Sequence, residues 1–170
     1  MSLTSPLSRT QTLTAWILLL GAAATVGTAL GFEHIGGYIP CMLCLQQRIP
    51  YYVAAPVAVL ALIAISVKSP AIVPRLLLLT IAIAMTIGFG LAVYHSGVEY
   101  GWWLGPASCG AVPAQAGNGN GILDQLNTVV PPSCDAAAWR DPVVNLSFAG
   151  WNVLASALWA VVAWRGALKA

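Results

Sequence analysis

The chain has 170 residues, 59% hydrophobic and 7% charged, with a formal net charge of +2. Soluble domains carry about 25% charged residues, so an ordinary hydrated surface is excluded and lipid must be the solvent over most of the protein. No run of Lys or Arg offers a nucleic-acid footprint, and one compact domain over 1–170 suits the length.

Four apolar stretches approach the roughly 20 residues a membrane-crossing helix needs, at about 13–30, 42–67, 72–93 and 146–164. They predict an all-α membrane protein, a bundle of four transmembrane helices. Arg9 before the first stretch and Ala22, Ala23 and Ala24 within it imitate a signal peptide. Its apolar core is longer than the roughly 7–15 residues of a signal core, which favours a retained helix. A short Gly-containing loop over 32–40 then leads to Pro40 and the second helix.

That helix opens with Cys41-Met-Leu-Cys44. Proline favours the first helical position. A helix N-terminus stabilises negative charge, so a thiol there becomes thiolate more readily. Residues i and i+3 share a face, so both sulfurs can pair or meet one bound molecule. A static disulfide stapling the helix end is the bland alternative. Zinc is disfavoured because the other cysteines lack metal-ligand spacing, and no metal is expected. Arg48 lies on the Cys44 face, about 6 Å further along the helix. It is suited to hold an oxygen of a bound cofactor, or else it snorkels to the lipid surface. Pro50 and Pro56 would free carbonyls and kink the helix.

Lys68-Ser69-Pro70 is a short turn. The third helix is expected to close at His95, level with the C-x-x-C, where it could hydrogen-bond a cofactor carbonyl or serve only in an interfacial belt. A long polar loop follows over about 95–145, holding Cys109 and Cys134. Within it 111–121 reads as flexible and irregular. Ile122, Leu123, Leu126 and Val130 share one helical face before Pro131-Pro132, which suits either a short helix lying on the membrane surface or a small helix packed within the loop.

Charge sets the orientation. Arg9, Lys68, Arg75, Arg165 and Lys169 flank the helices at the two termini and the 68–70 turn, which an even number of crossings puts on one side. The positive-inside rule makes that side cytoplasmic. All five acids (Glu33, Glu99, Asp124, Asp135, Asp141) and all four cysteines then lie outside, where an oxidising bacterial compartment lets disulfides persist. Four cysteines allow three connectivities. The C-x-x-C is the fixed pair and Cys109/Cys134 the pair in a polar loop, so electrons would run from the water side to the lipid side.

Three local motifs carry a resemblance over nearly the whole chain. Pro40-Cys41-Met-Leu-Cys44-Leu-Gln-Gln-Arg48-Ile-Pro-Tyr51 resembles the signature of the bacterial disulfide-bond formation protein B family, DsbB. Tyr94-His95-Ser-Gly-Val-Glu99-Tyr-Gly-Trp102-Trp-Leu-Gly-Pro106-Ala-Ser-Cys109 is similar to its alphaproteobacterial branch. Cys134-Asp-Ala-Ala-Ala-Trp139-Arg140, with Leu146-Ser-Phe-Ala-Gly150-Trp151-Asn152, resembles its entry to the fourth helix. Residues 140–145 depart from the family pattern, which is aromatic and hydrophobic there.

The resemblance implies an inner-membrane enzyme with its active cysteines on the periplasmic side, a quinone-dependent protein-disulfide oxidoreductase. It would re-oxidise a periplasmic thioredoxin-fold dithiol oxidase, DsbA-like, through catalytic Cys41, Cys44, Cys109 and Cys134. The partner's thiolate would attack a Cys109–Cys134 disulfide at Cys109, and freed Cys134 would attack Cys41. Cys44 would deliver the electrons to ubiquinone or menaquinone from the membrane pool, with Arg48 and His95 binding the cofactor. Such an oxidase is itself strongly oxidising, so a quinone is a fitting sink. Two rivals are weighed. A non-enzymatic four-helix protein with structural outer disulfides, claudin-like, leaves the C-x-x-C above Arg48 unexplained. A vitamin K epoxide reductase-like quinone reductase places its C-x-x-C late in the chain.

Overall fold

The structure is a computed structural model that describes residues 9–109 and 133–168. The irregular stretch expected over 111–121 and the short helix over 121–130 lie outside the described residues, as do Asp124 and Lys169. Four long helices are described: α1 (Arg9–His34), α2 (Met42–Ser66), α3 (Ile72–Glu99) and α4 (Phe148–Leu168). A 3-10 turn, Ala107–Cys109, precedes the second cysteine pair's closure. Among the described residues there is no strand, only an isolated bridge between Arg140 and Ser147.

The helices form a ring in which α3 packs mainly on α2 and α4, and α1 on α2 and α4. The interior is built from small residues. Ala15, Ala58, Ala61, Ala82 and Ala163 are fully buried around Leu78, Ile81 and Met85. Large apolar side chains point outward instead, with Leu20 63% and Leu154 53% exposed. This is the distribution lipid selects, because hydrocarbon solvates leucine as well as a core does and close packing needs small contact residues. Several hydroxyls on the helices are satisfied locally, as where Thr25 and Thr86 donate to the carbonyls of Gly21 and Ala82.

Four helices stand where four spans were expected, and three of them qualify as spans. α1, α2 and α3 are long and apolar enough to cross a membrane, and α4 falls short. The physical reason is its composition: Asn152, Ser156, Arg165 and three tryptophans interrupt its aliphatic run. Asn152 and Ser156 turn to hydrogen bonds within the bundle.

The end of α3 also moved. α3 continues past Val93 to Glu99, so His95 sits inside the helix rather than closing it. Pro50 and Pro56 lie inside an uninterrupted α2. The Pro50 ring faces Gly88 of α3, where an added Cβ would approach it to 3.1 Å.

Candidate active site

The C-x-x-C forms the N-terminal cap of α2. Cys41 has extended backbone angles, φ −74 and ψ 170, and its Sγ accepts the N–H of Cys44 at 3.2 Å. Sulfur thus takes the place that a serine or aspartate oxygen has in an ordinary cap. Cys41 is 5% exposed, and His95 Nε2 of α3 lies 3.6 Å from its Sγ. Hydrogen bonding with the Cys44 thiol, joined by His95 and the Cys44 N–H, outweighs burial and holds the Cys41 thiol well below its ordinary value.

The second cysteine pair arrives by a fold-back at the end of α3. Gly101 turns the chain at a φ of +70, open only to glycine without strain. The Trp103 ring then lies over Gly97, where any Cβ would overlap it. Trp103 Nε1 donates to the Tyr94 carbonyl at 2.8 Å, and the two rings stack at 6.0 Å. The 3-10 turn that follows rests on α2. Cys109 is bonded to Cys134, with Cα atoms 5.1 Å apart, which selects one connectivity from the three. Cys41, Leu43, Val98, Cys109 and Cys134 form one buried cluster, with Cys44 packed against it. Cys41 and Cys44 are free thiols.

Below the cluster opens a cavity of about 560 Å³ between the helices. Cys44 lines it and Cys41 does not, so the two inner sulfurs face different surroundings. Arg48, Gln47 and Tyr51 of α2, Glu33 of α1, His95 of α3 and Asn152 of α4 supply its polar groups. Phe32, Tyr38, Trp139 and Phe148 pack edge to face and stacked along one wall. The 140–145 departure proves to be a tight turn. Asp141 N–H donates to the Leu146 carbonyl, and Asn145 takes a φ of 56. The turn delivers Trp139 and Phe148 to the same wall.

Arg48 was expected to face a cofactor oxygen, and it pairs with Glu33 at the cavity edge. A guanidinium has five donors, so other N–H groups of the fork stay available. The sequence reading did not select Glu33, Gln47, Tyr51 or Asn152. Tyr51 O–H donates to Asn152 Oδ1 at 2.6 Å, Asn152 Nδ2 donates to Gln47 Oε1 at 2.5 Å, and Gln47 Nε2 meets His95 Nδ1 at 2.5 Å. An amide in an otherwise apolar helix was the available signal. The donor atoms of Cys41, Cys44 and His95 lie within 4.8 Å of one another. That closeness also suits thiol–disulfide chemistry, with the imidazole beside the sulfurs.

The family model for disulfide bond formation protein DsbB matches residues 11–165. The chain belongs to the DsbB family. Comparisons with curated proteins and with solved structures return no match. Membership makes the protein part of the membrane machinery of disulfide-bond formation, with a disulfide oxidoreductase role. It does not favour the claudin-like or the vitamin K epoxide reductase-like reading. The DsbB match takes in all four cysteines, Arg48 and His95.

Proposed function

We propose that the protein re-oxidises a soluble, periplasmic thioredoxin-fold dithiol oxidase and passes the electrons to a membrane quinone, ubiquinone or menaquinone. The observation that carries this reading is the split placement of the inner pair. Cys41 packs with the Cys109–Cys134 disulfide, whereas Cys44 borders the cavity with Arg48 and His95.

Exchange proceeds by thiolate attack on a disulfide sulfur. The partner's thiolate attacks Cys109 and leaves Cys134 free. Cys134, in the same buried cluster as Cys41, attacks the Cys41–Cys44 disulfide at Cys41 and releases Cys44 as thiolate toward the cavity. The partner's second thiolate then releases it oxidised from Cys109, and Cys109 attacks Cys134, which re-forms the outer disulfide and leaves Cys41 and Cys44 as a dithiol. The inner pair would close again to a disulfide by giving two electrons and two protons to a quinone held in the cavity. The cavity suits it in size, since small-molecule sites occupy about 300–1,000 Å³. It also suits it in chemistry, having aromatic walls and a few converging donors. Arg48 and His95 would bind the ring oxygens, Arg48 with fork N–H groups beyond the one given to Glu33. The aromatic wall keeps water from the reduced pair.

The test mixes the purified protein with a reduced DsbA-like oxidase and quinone and follows quinone absorbance. Steady reduction is expected, with loss of it in Cys44→Ser and a partner-linked disulfide through Cys109 trapped in Cys134→Ser. Full activity of Cys44→Ser would overturn the reading.

A further inference from the structure

Glu99 takes no part in the electron path described above, yet it sits inside the site. It follows His95 by four residues on α3, so the two share a helical face. Its carboxylate lies 3.8 Å from His95 Nε2, and the side chains are 5% and 2% exposed. Its other oxygen accepts from Ser147 Oγ, the hydroxyl that also caps α4 at the Gly150 N–H. A buried carboxyl is costly to keep unless it is paired. Tying α3 to the cap of α4 could be done by a neutral amide at lower cost.

Resting on the oxidoreductase reading, we propose that Glu99 is the acid–base partner of His95, receiving through it the proton that the Cys41 thiol releases. His95 Nε2 faces both groups, Cys41 Sγ at 3.6 Å and Glu99 at 3.8 Å, so a proton leaving sulfur has one bridge to one carboxylate. His95 Nδ1 meets the Gln47 amide, which offers oxygen or N–H by turning half over. That amide chain ends on Tyr51, whose hydroxyl both donates and accepts, so either protonation state of the imidazole is matched.

The bookkeeping of the step is closed. Both S–H bonds of the inner pair break and the Cys41–Cys44 bond forms. One electron pair passes to the quinone, and two protons follow it. The Cys41 proton would pass through His95 to Glu99 and return by the same imidazole, which lines the cavity, while the Cys44 proton would leave directly into the cavity that Cys44 borders. Besides His95, the ionisable groups acting on Glu99 are Cys41 and Cys44 at the start of α2 and Arg140 from the turn before α4.

The sign follows from position. Drawing the released proton toward Glu99 leaves the Cys41 sulfur as thiolate, so loss of the carboxyl group should disfavour thiolate there. Direct repulsion between the carboxylate and the thiolate acts the other way, but it is the weaker effect because the imidazole lies between them. The experiment uses full-length protein in detergent, fully reduced, alkylated with iodoacetamide over a pH series, with Cys41 modification read by peptide mass. In Glu99→Gln, which keeps an acceptor for Ser147, the midpoint for Cys41 should rise by about one pH unit. Glu99→Asp should restore most of the shift. With partner and quinone, Glu99→Gln should lower kcat on the order of 10²-fold, the scale of lost acid–base assistance, at unchanged KM for quinone. A Cys41 midpoint that stays put or falls in Glu99→Gln, or stays put in Glu99→Asp and Gln alike, overturns the proposal. Failure of the wild type to reduce quinone would instead sink the proposed function, while the alkylation midpoints would still decide the role of Glu99.

Discussion

The amide of Gln47 is occupied at both ends, its oxygen by Asn152 and its nitrogen by the His95 ring. It thereby joins α2, α3 and α4 at one point. Replacing it with leucine keeps the bulk and removes both contacts, leaving buried polar groups on His95 and Asn152 without partners. Such a loss costs about 1–3 kcal/mol. Gln47→Leu should therefore unfold earlier in a detergent thermal melt, and an unchanged melt would mean the chain of amides is not structural. The cysteines, Arg48 and His95 were legible in the sequence because their chemistry is scarce in apolar helices. Gln47, Tyr51 and Asn152 were not, because their meaning lies in contacts between helices distant in sequence. Glu33 was read only as an external charge, and its pairing with Arg48 depends on how α1 ends against α2.

At the scale of elements, existence was legible and ends were not. Apolar runs located all four helices, but α1 extends four residues beyond expectation at each end, over 9–34. Polar residues at those ends lower hydropathy without opposing helical geometry. For the same reason α3 carries Tyr94, His95 and Ser96 in regular helix until Tyr100 closes it, its N–H donating to the Ser96 carbonyl. Helix contacts then depend on single glycines. Gly21 of α1 lies against the Trp159 ring of α4, and an added Cβ would come within 2.5 Å of it. The indole is anchored through its N–H to Thr25, so it has little freedom to withdraw. Gly21→Ala should cost about 1–3 kcal/mol through overpacking, seen as a lower midpoint of unfolding. An equal or raised midpoint would show that Trp159 moves aside freely.

For the whole molecule, composition alone indicated a lipid-facing protein, and the outward leucines with inward alanines bear that out. Composition could not say how far α4 resembles its neighbours, because its polar residues turn to hydrogen bonds inside the bundle. We expect α4 to cross with the others, since it packs against both α3 and α1. An even number of crossings makes a simple forecast. A cytoplasm-active reporter fused after Ala170 should be active, and a periplasm-active one inserted in the Asp141–Asn145 turn should be active too. The reverse pattern, or opposite sides for the two protein ends, would exclude the positive-inside assignment.

The length of α3 has a further consequence. Its 28 residues extend about 42 Å at 1.5 Å per residue. Tilted by about 20° the helix still reaches about 39 Å, well beyond a hydrocarbon core of about 30 Å. If that excess lies at the end away from the 68–70 turn, roughly the last six residues, His95 and Glu99 among them, would reach the head-group layer. The cavity beside Cys44 begins at that level, since His95 lines it, and continues along the bundle to Thr25, Tyr51 and Ala155. Protons would then be exchanged near a wetted boundary while the electrons leave toward the apolar interior.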